Sequence, residues 1–165
     1  MSTQETKTEY YKSLPRKRMA SGAIIRNPEG KILVLKTTYK EYWEIPGGVV
    51  EENESPKQTV EREVLEEIGL EINVSLCLAI HYRSAQGIQD ENIMFVFDGG
   101  IINDTSELKP DGKEISEARF VSFEEAHNFV GERIASRLPF LQQALQQKRT
   151  IYLESIGTLE PSFIS

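Results

Sequence analysis

Apolar positions along the chain fall into short runs separated by polar, glycine-containing and proline-containing breaks. Residues 1–14 are polar and carry no apolar period, so they are expected to form a loose tail ending at Arg16-Lys17-Arg18. Ala23–Arg26 and Lys31–Lys36 are β-rich runs joined by Asn27-Pro28-Glu29-Gly30, a composition suited to a turn, and a hairpin is predicted. Trp43-Glu44-Ile45 is a short extended piece stopped by Pro46, and Gly47-Gly48 frees the backbone after it. A helix follows. Ser55 is its expected N-cap, Pro56 its first helical residue, Gln58 the partner in a capping box and Gly69 its stop. Val60, Val64 and Ile68 recur at i, i+4 and i+8 and give it a buried stripe.

Leu70, Ile72, Val74, Leu76, Leu78 and Ile80 then alternate with period two, which predicts one long strand with a single core face. Asn92–Phe97 reads as a further strand bounded by Gly99-Gly100, and residues 103–113 as a long loop. Ala118–Phe123 should be a short strand followed by helical turns, and Pro139 should open a last helix reaching about Lys148. Thr150–Ser165 reads as a short strand and a tail. Strands, a helix, more strands and terminal helices in this order predict an α+β fold with a mixed sheet packed between helices. The expected division is a tail over 1–16, a domain over 17–148 and an extension over 149–165.

The 165 residues suffice for one ordinary domain, with 39% hydrophobic and 27% charged residues and a mean hydropathy of -0.40. The strongest apolar run, Ile32-Leu33-Val34-Leu35, is far short of a membrane helix, and no basic-then-apolar leader precedes it, so a cytoplasmic protein is expected. Cys77 is the one cysteine, which excludes an intramolecular disulfide and a cysteine cage for zinc. Two histidines, His81 and His127, are too few for a histidine-based metal site without carboxylates. The net charge of -7 argues against a nucleic-acid partner. Phosphates would have to be handled locally, through bound cations.

On a helical wheel Glu63, Glu66 and Glu67 fall on one side, away from the valine and isoleucine stripe. Like charges at i, i+3 and i+4 repel by a few tenths of a kcal/mol per pair, about what a solvated acidic face tolerates. Arg62 can pair with Glu66 but cannot neutralise all three. A solvated face and a hard-cation site both account for the helix taken alone.

The spacing around the helix separates the two. Gly48, five residues, Glu54, seven residues and then Arg62-Glu63-Val64-Leu65-Glu66-Glu67-Ile68-Gly69-Leu70 resembles the Nudix signature at nine constrained positions over 23 residues. Trp43–Gly48 also resembles the usual approach to that box. The resemblance implies a Nudix-type α/β/α sandwich and a MutT-like hydrolase that cleaves the diphosphate linkage of a nucleoside diphosphate derivative. It implies Mg²⁺, with Mn²⁺ as substitute, held by Glu63, Glu66, Glu67 and the backbone of Gly47. It further implies that Arg62 holds carboxylates in place, that Glu54 braces the loop, and that Glu63 or a later glutamate takes a proton from water. Glu114 is the nominee for a later metal-binding or catalytic glutamate, with Glu117 and Glu107 as rivals.

The expected partner is a small nucleotide, with (deoxy)nucleoside triphosphates the first substrate class and ADP-ribose or a nucleotide sugar the alternative. A nucleotide sensor of the same fold that does not cleave is the reading from another class. Tyr39, Tyr42 and Trp43 suit either base stacking or the core; Lys36 and Arg26 suit exposed strand charge or phosphate contact. His81 and Arg83 sit where a strand end could open a pocket, and His127 is expected on a helix surface. Ile151, Tyr152, Leu153, Ile156 and Phe163 are expected to cover either a second copy in a homodimer or this chain's own core.

Overall fold

The computed structural model of the chain describes residues 3–158 and 160–163. Its elements in chain order are α1 (Thr3–Ser13), β1 (Arg18–Arg26), β2 (Ile32–Thr37), β3 (Trp43–Glu44), β4 (Gly47–Val49) and α2 (Pro56–Ile68). They continue with β5 (Cys77–Arg83), β6 (Asn92–Ile101), β7 (Ile115–Val121), α3 (Phe123–Ala126), α4 (Glu132–Ala135), α5 (Leu138–Gln147), β8 (Ile151–Ser155) and β9 (Ser162–Phe163). The sheet path is β3-β2-β1-β6-β5-β8-β9, with β4 on β1 and β7 on β2. β1 runs parallel to β6 and β5 parallel to β8, while the other pairs are antiparallel. The sheet is mixed, as expected.

Side chains alternate across a strand, and here the alternation separates two cores. Ala23 and Ile25 of β1 and Leu33 and Leu35 of β2 pack with Val60, Val64 and Ile68 of α2. Ile24, Ile32 and Val34 from the same strands turn the other way and pack with Leu138, Leu141 and Ala144 of the α5 layer. The α/β/α sandwich follows from that division. Burying each of the three α2 side chains contributes roughly 1.5–3 kcal/mol, enough to hold the helix against its own charge repulsion.

Helix α2 has the predicted ends. Ser55 Oγ accepts from the Gln58 amide, the Gln58 side chain accepts from the Ser55 amide, and Gly69 closes the helix in the left-handed region. The predicted hairpin forms between β1 and β2, with Gly30 at φ 78° in its turn.

Several expectations need correction. The strand expected over 118–123 forms earlier, over Ile115–Val121, and Phe123 opens α3 after the Ser122 cap. The tail over 1–14 is helical across Thr3–Ser13, because its Glu, Lys and Gln residues favour helix without an apolar face. The strand predicted over 70–80 forms only from Cys77 onward and runs on to Arg83. Residues 70–76 upstream form no strand, though Val74 is buried; the Val74 amide donates to Glu61 of α2 at 3.0 Å and the Leu76 carbonyl accepts from the Asp98 amide of β6 at 2.8 Å. β6 does not stop before Gly99-Gly100 but continues through them to Ile101. A Cβ at Gly99 would lie 2.5 Å from Cγ1 of Ile25, so glycine lets β6 stay against β1 where their register shifts. Finally, the loop over 103–113 contains a 3₁₀ turn at Thr105–Glu107, capped by Asp104. Parts of both expected terminal segments, residues 1–2, 159 and 164–165, lie outside the described residues.

Of the apolar C-terminal residues, Ile151 and Leu153 close the chain's own core, whereas Tyr152, Ile156 and Phe163 are exposed. No helix among the described residues is long and apolar enough to cross a membrane.

Candidate active site

The loop before α2 and the helix itself build one wall of the site. β4 lies on β1 with Gly47 opposite Gly22 and Gly48 opposite Ser21. Gly47 adopts φ 144°, and a Cβ there would sit 2.1 Å from the Ser21 carbonyl oxygen, so the close approach requires glycine. Its amide donates to Oε2 of Glu67 at 3.0 Å. Gly48 presents bare backbone to Glu63, whose Oε1 would be 2.3 Å from a Cβ at that position. Two of the three helix carboxylates are therefore seated against these glycines.

Arg62 organises the remainder. Its Nε and Nη2 donate to both oxygens of Glu54 at 2.8 and 3.0 Å, a paired contact that fixes the guanidinium plane. Nη1 reaches Glu63 Oε1 at 2.9 Å and Glu66 Oε2 at 3.1 Å. Glu54 is secured further by the Thr59 hydroxyl at 2.7 Å and the Glu51 amide at 3.2 Å. These contacts with Arg62, followed by Thr59, hold the Glu54 carboxyl down to about 2.

The helix carboxylates shift the opposite way. Burial pushes Glu67 up to about 8; the Gly47 amide opposes this, and Glu63, Glu44 and Glu114 add to it. Burial also raises Glu63, against the pull of Arg62. More negative charge is gathered here than the wall itself neutralises. Among the described residues no three His, Cys, Asp or Glu side chains form a closed metal cage. The reason is visible in the contacts: Arg62 draws Glu63 and Glu66, while Glu67 turns to Gly47. Mg²⁺ needs no such cage, because it keeps waters and substrate oxygens and takes only one or two carboxylates. The oxygen donors and their surplus charge fit a hard divalent cation.

The three later glutamates have different surroundings. Glu114 is exposed, and its charge acts on both Glu63 and Glu67. Glu117 pairs with Arg119 at 2.6 Å, and Glu107 lines a different cavity beside Leu70 and Ile102. Trp43 is core, edge-on to Phe129 at 5.6 Å, whereas Tyr39 is 65% exposed and Tyr42 half-exposed. Arg26 pairs with Asp98 at 2.7 Å, Lys36 is exposed in β2, and His127 is an exposed residue just beyond α3.

A cleft of about 380 Å³ borders this wall through Ser21, Gly47 and Gly48, with Tyr39, Lys40 and Glu44 also on its lining. Lys40 and Glu44 pair at 2.6 Å. Sequence reasoning did not single out Lys40, Glu44, Arg133 or Arg137, all of which line the cleft. A Lys–Glu spacing of four was the one readable signal among them, and it lies in no helix. His81 and Arg83, expected near a pocket, are both buried, and Arg83 lines the cleft.

A NUDIX domain model matches residues 16–142 of the 165, and the chain belongs to the Nudix family. An RNA pyrophosphohydrolase of Hydrogenovibrio crunogenus is 52% identical over 30% of this chain and 30% of its own. A MutT-like protein of Streptomyces ambofaciens is 33% identical over 59% of this chain and 65% of its own. The chain thus spans less than two thirds of the length of these curated relatives. Among solved structures, a MutT protein from Methanosarcina mazei superposes with a TM-score of 0.65 at 26% identity, covering 82% of this chain and 99% of that one.

Proposed function

We propose that this chain is a divalent-metal-dependent pyrophosphohydrolase acting on the diphosphate linkage of nucleotide derivatives, with (deoxy)nucleoside triphosphates as the first substrate class. One observation carries the reading: Glu63 and Glu67, raised by burial, are seated against the bare backbone of Gly48 and Gly47 at the edge of a cleft. A solvated acidic face would leave such carboxylates exposed and apart from the loop. The names of the relatives agree with it, being pyrophosphohydrolase and MutT-like protein.

Glu63, Glu66, Glu67 and the Gly47 backbone would hold Mg²⁺ or Mn²⁺, with Glu114 as a further oxygen donor. Bound there, the cation would neutralise phosphate charge and lower the pKa of a coordinated water. Arg62 acts through the others, orienting Glu63 and Glu66 while Glu54 fixes its own plane. Glu63, seated against Gly48 and oriented by Arg62, is the carboxylate placed to accept the proton of the attacking water. Water oxygen bonds to phosphorus, the bridging P–O bond breaks, and two phosphate products leave. The single cysteine, Cys77, suits a reducing cytoplasmic setting.

The test is product analysis over a panel of nucleoside triphosphates, ADP-ribose, nucleotide sugars and dinucleoside polyphosphates with Mg²⁺ or Mn²⁺. Metal-dependent release of phosphate products, lost in Glu67→Gln, is expected. Silence across the panel with nucleotide binding intact would mean a sensor instead.

A further inference from the structure

The cleft that reaches Gly47 and Gly48 is also lined by four arginines from separate elements: Arg18 opens β1, Arg83 ends β5, Arg133 lies in α4 and Arg137 precedes α5. Two of them are nearly removed from solvent, Arg83 at 4% exposure and Arg137 at 5%. Among the described residues none of the four has a carboxylate partner. Arg137 Nε donates to Nδ1 of His81 at 2.7 Å, and Arg133 donates to the Gln89 side chain. The one acidic residue on the cleft lining, Glu44, is taken by Lys40 at 2.6 Å.

Buried like charges without counter-charge are costly, and an arrangement that keeps them points to an anion. The guanidinium is the side chain best shaped for phosphate, since its fork of donors matches paired oxygens. The overall charge of -7 makes the concentration of four arginines in one cleft more specific still.

The cluster is also held in position. His81 is buried, and because its Nδ1 accepts from Arg137, its proton sits on Nε2, which lies 2.9 Å from Ser155 Oγ. Burial, followed by the charges of Arg137 and Arg83, lowers His81 to about 3, so it remains a neutral acceptor at physiological pH. Arg137 thus spends Nε on a fixed partner and keeps its terminal nitrogens for another acceptor.

We propose that Arg18, Arg83, Arg133 and Arg137 form an anion subsite that receives a phosphate of the substrate additional to the diphosphate linkage that is cleaved. This rests on the hydrolase reading above, which it narrows. Favoured substrates carry a third phosphate, either as a monoester on a sugar or as the end of a triphosphate chain.

The experiment has a metal-free arm and a turnover arm. In EDTA, inorganic tripolyphosphate is titrated calorimetrically into the wild type, Arg83→Gln, Arg133→Gln and, as a control on general charge, Lys12→Gln in α1. Binding weakened about tenfold or more in both arginine variants but not in the control is expected, the size of one lost charge-assisted hydrogen bond. Arg133 is only partly buried, so its variant stays informative if Arg83→Gln fails to fold. Equal binding in wild type and Arg133→Gln, or none in the folded wild type, overturns the subsite.

With Mg²⁺, kcat/KM is compared within two pairs, 2'-phospho-ADP-ribose against ADP-ribose and dATP against dADP. A preference of about tenfold for the extra phosphate in one pair, narrowing in Arg133→Gln, supports the subsite and shows which source of phosphate it takes. Turnover without preference in either pair overturns the subsite and leaves the hydrolase reading standing. Tripolyphosphate binding without turnover of any compound does the reverse.

Discussion

The acidic wall that meets the cleft at Gly47 and Gly48 and the basic lining of the cleft itself differ in charge and in construction. The acidic side comes from one helix and the loop just before it, and a single guanidinium, Arg62, spans Glu54, Glu63 and Glu66. The basic side comes from β1, β5, α4 and the residue before α5, and among the described residues no carboxylate pairs with its arginines. One side carries surplus negative charge partly ordered from within, and the other surplus positive charge left open. A cation bound together with a polyphosphate would satisfy both, which neither a bare metal nor a bare anion can do.

The largest expected effect breaks the acidic side without touching a charge. In Gly48→Ala the new Cβ would sit within 2.3 Å of Glu63 Oε1 and drive that carboxylate away. A displacement of about 1 Å near the chemistry costs on the order of 100-fold. Steady-state kinetics should show that fall in kcat with little change in melting temperature.

Arg62→Ala tests the ordering itself. Positioning partners of metal-ligand carboxylates are typically worth about 10–100-fold, so activity should fall by that much. It should also change the response to acid. Glu54 is held down to about 2 from an ordinary value of 4.5, so its stabilising contribution is complete above pH 4.5 and is lost as pH falls towards 2. Denaturant midpoints measured across that window should drop steeply in the wild type and flatten in the variant.

The smallest effect concerns the basic side. His81 is lowered to about 3 from 6.5, so the unfolded chain binds more protons than the native one between those values. Stability from this residue is complete above pH 6.5 and declines as pH falls towards 3. His81→Gln, which keeps a polar partner for Arg137, should flatten that decline in urea midpoints at pH 7.5 and 5.

The same contrast explains what the sequence made legible. Helix α2 is written locally: cap, capping box, stripe and stop all lie within 15 residues, and the acidic side follows from helical spacing. The stretch over 70–80 shows where local pattern misleads. Val74 is buried, as the alternation demands, yet ladder pairing begins only at Cys77 opposite Phe97, where β6 and then β8 offer partners. Nothing around Arg133 or Arg137 distinguishes them from surface arginines until α5 packs on β5 and brings them to Arg83. Glu114, Glu117 and Glu107 look alike in the sequence and differ in their surroundings: Arg119 pairs with Glu117, Glu107 lines a separate cavity, and the charge of Glu114 acts on Glu63 and Glu67.

If the carboxylates seated against Gly47 and Gly48 hold the divalent cation, Mn²⁺ should bind there without substrate. Electron paramagnetic resonance titration of Mn²⁺ into the wild type and Glu67→Gln, without substrate, tests it most directly. A saturable Mn²⁺ site whose affinity falls at least about tenfold in the variant is expected. Equal affinity in the two proteins would contradict it.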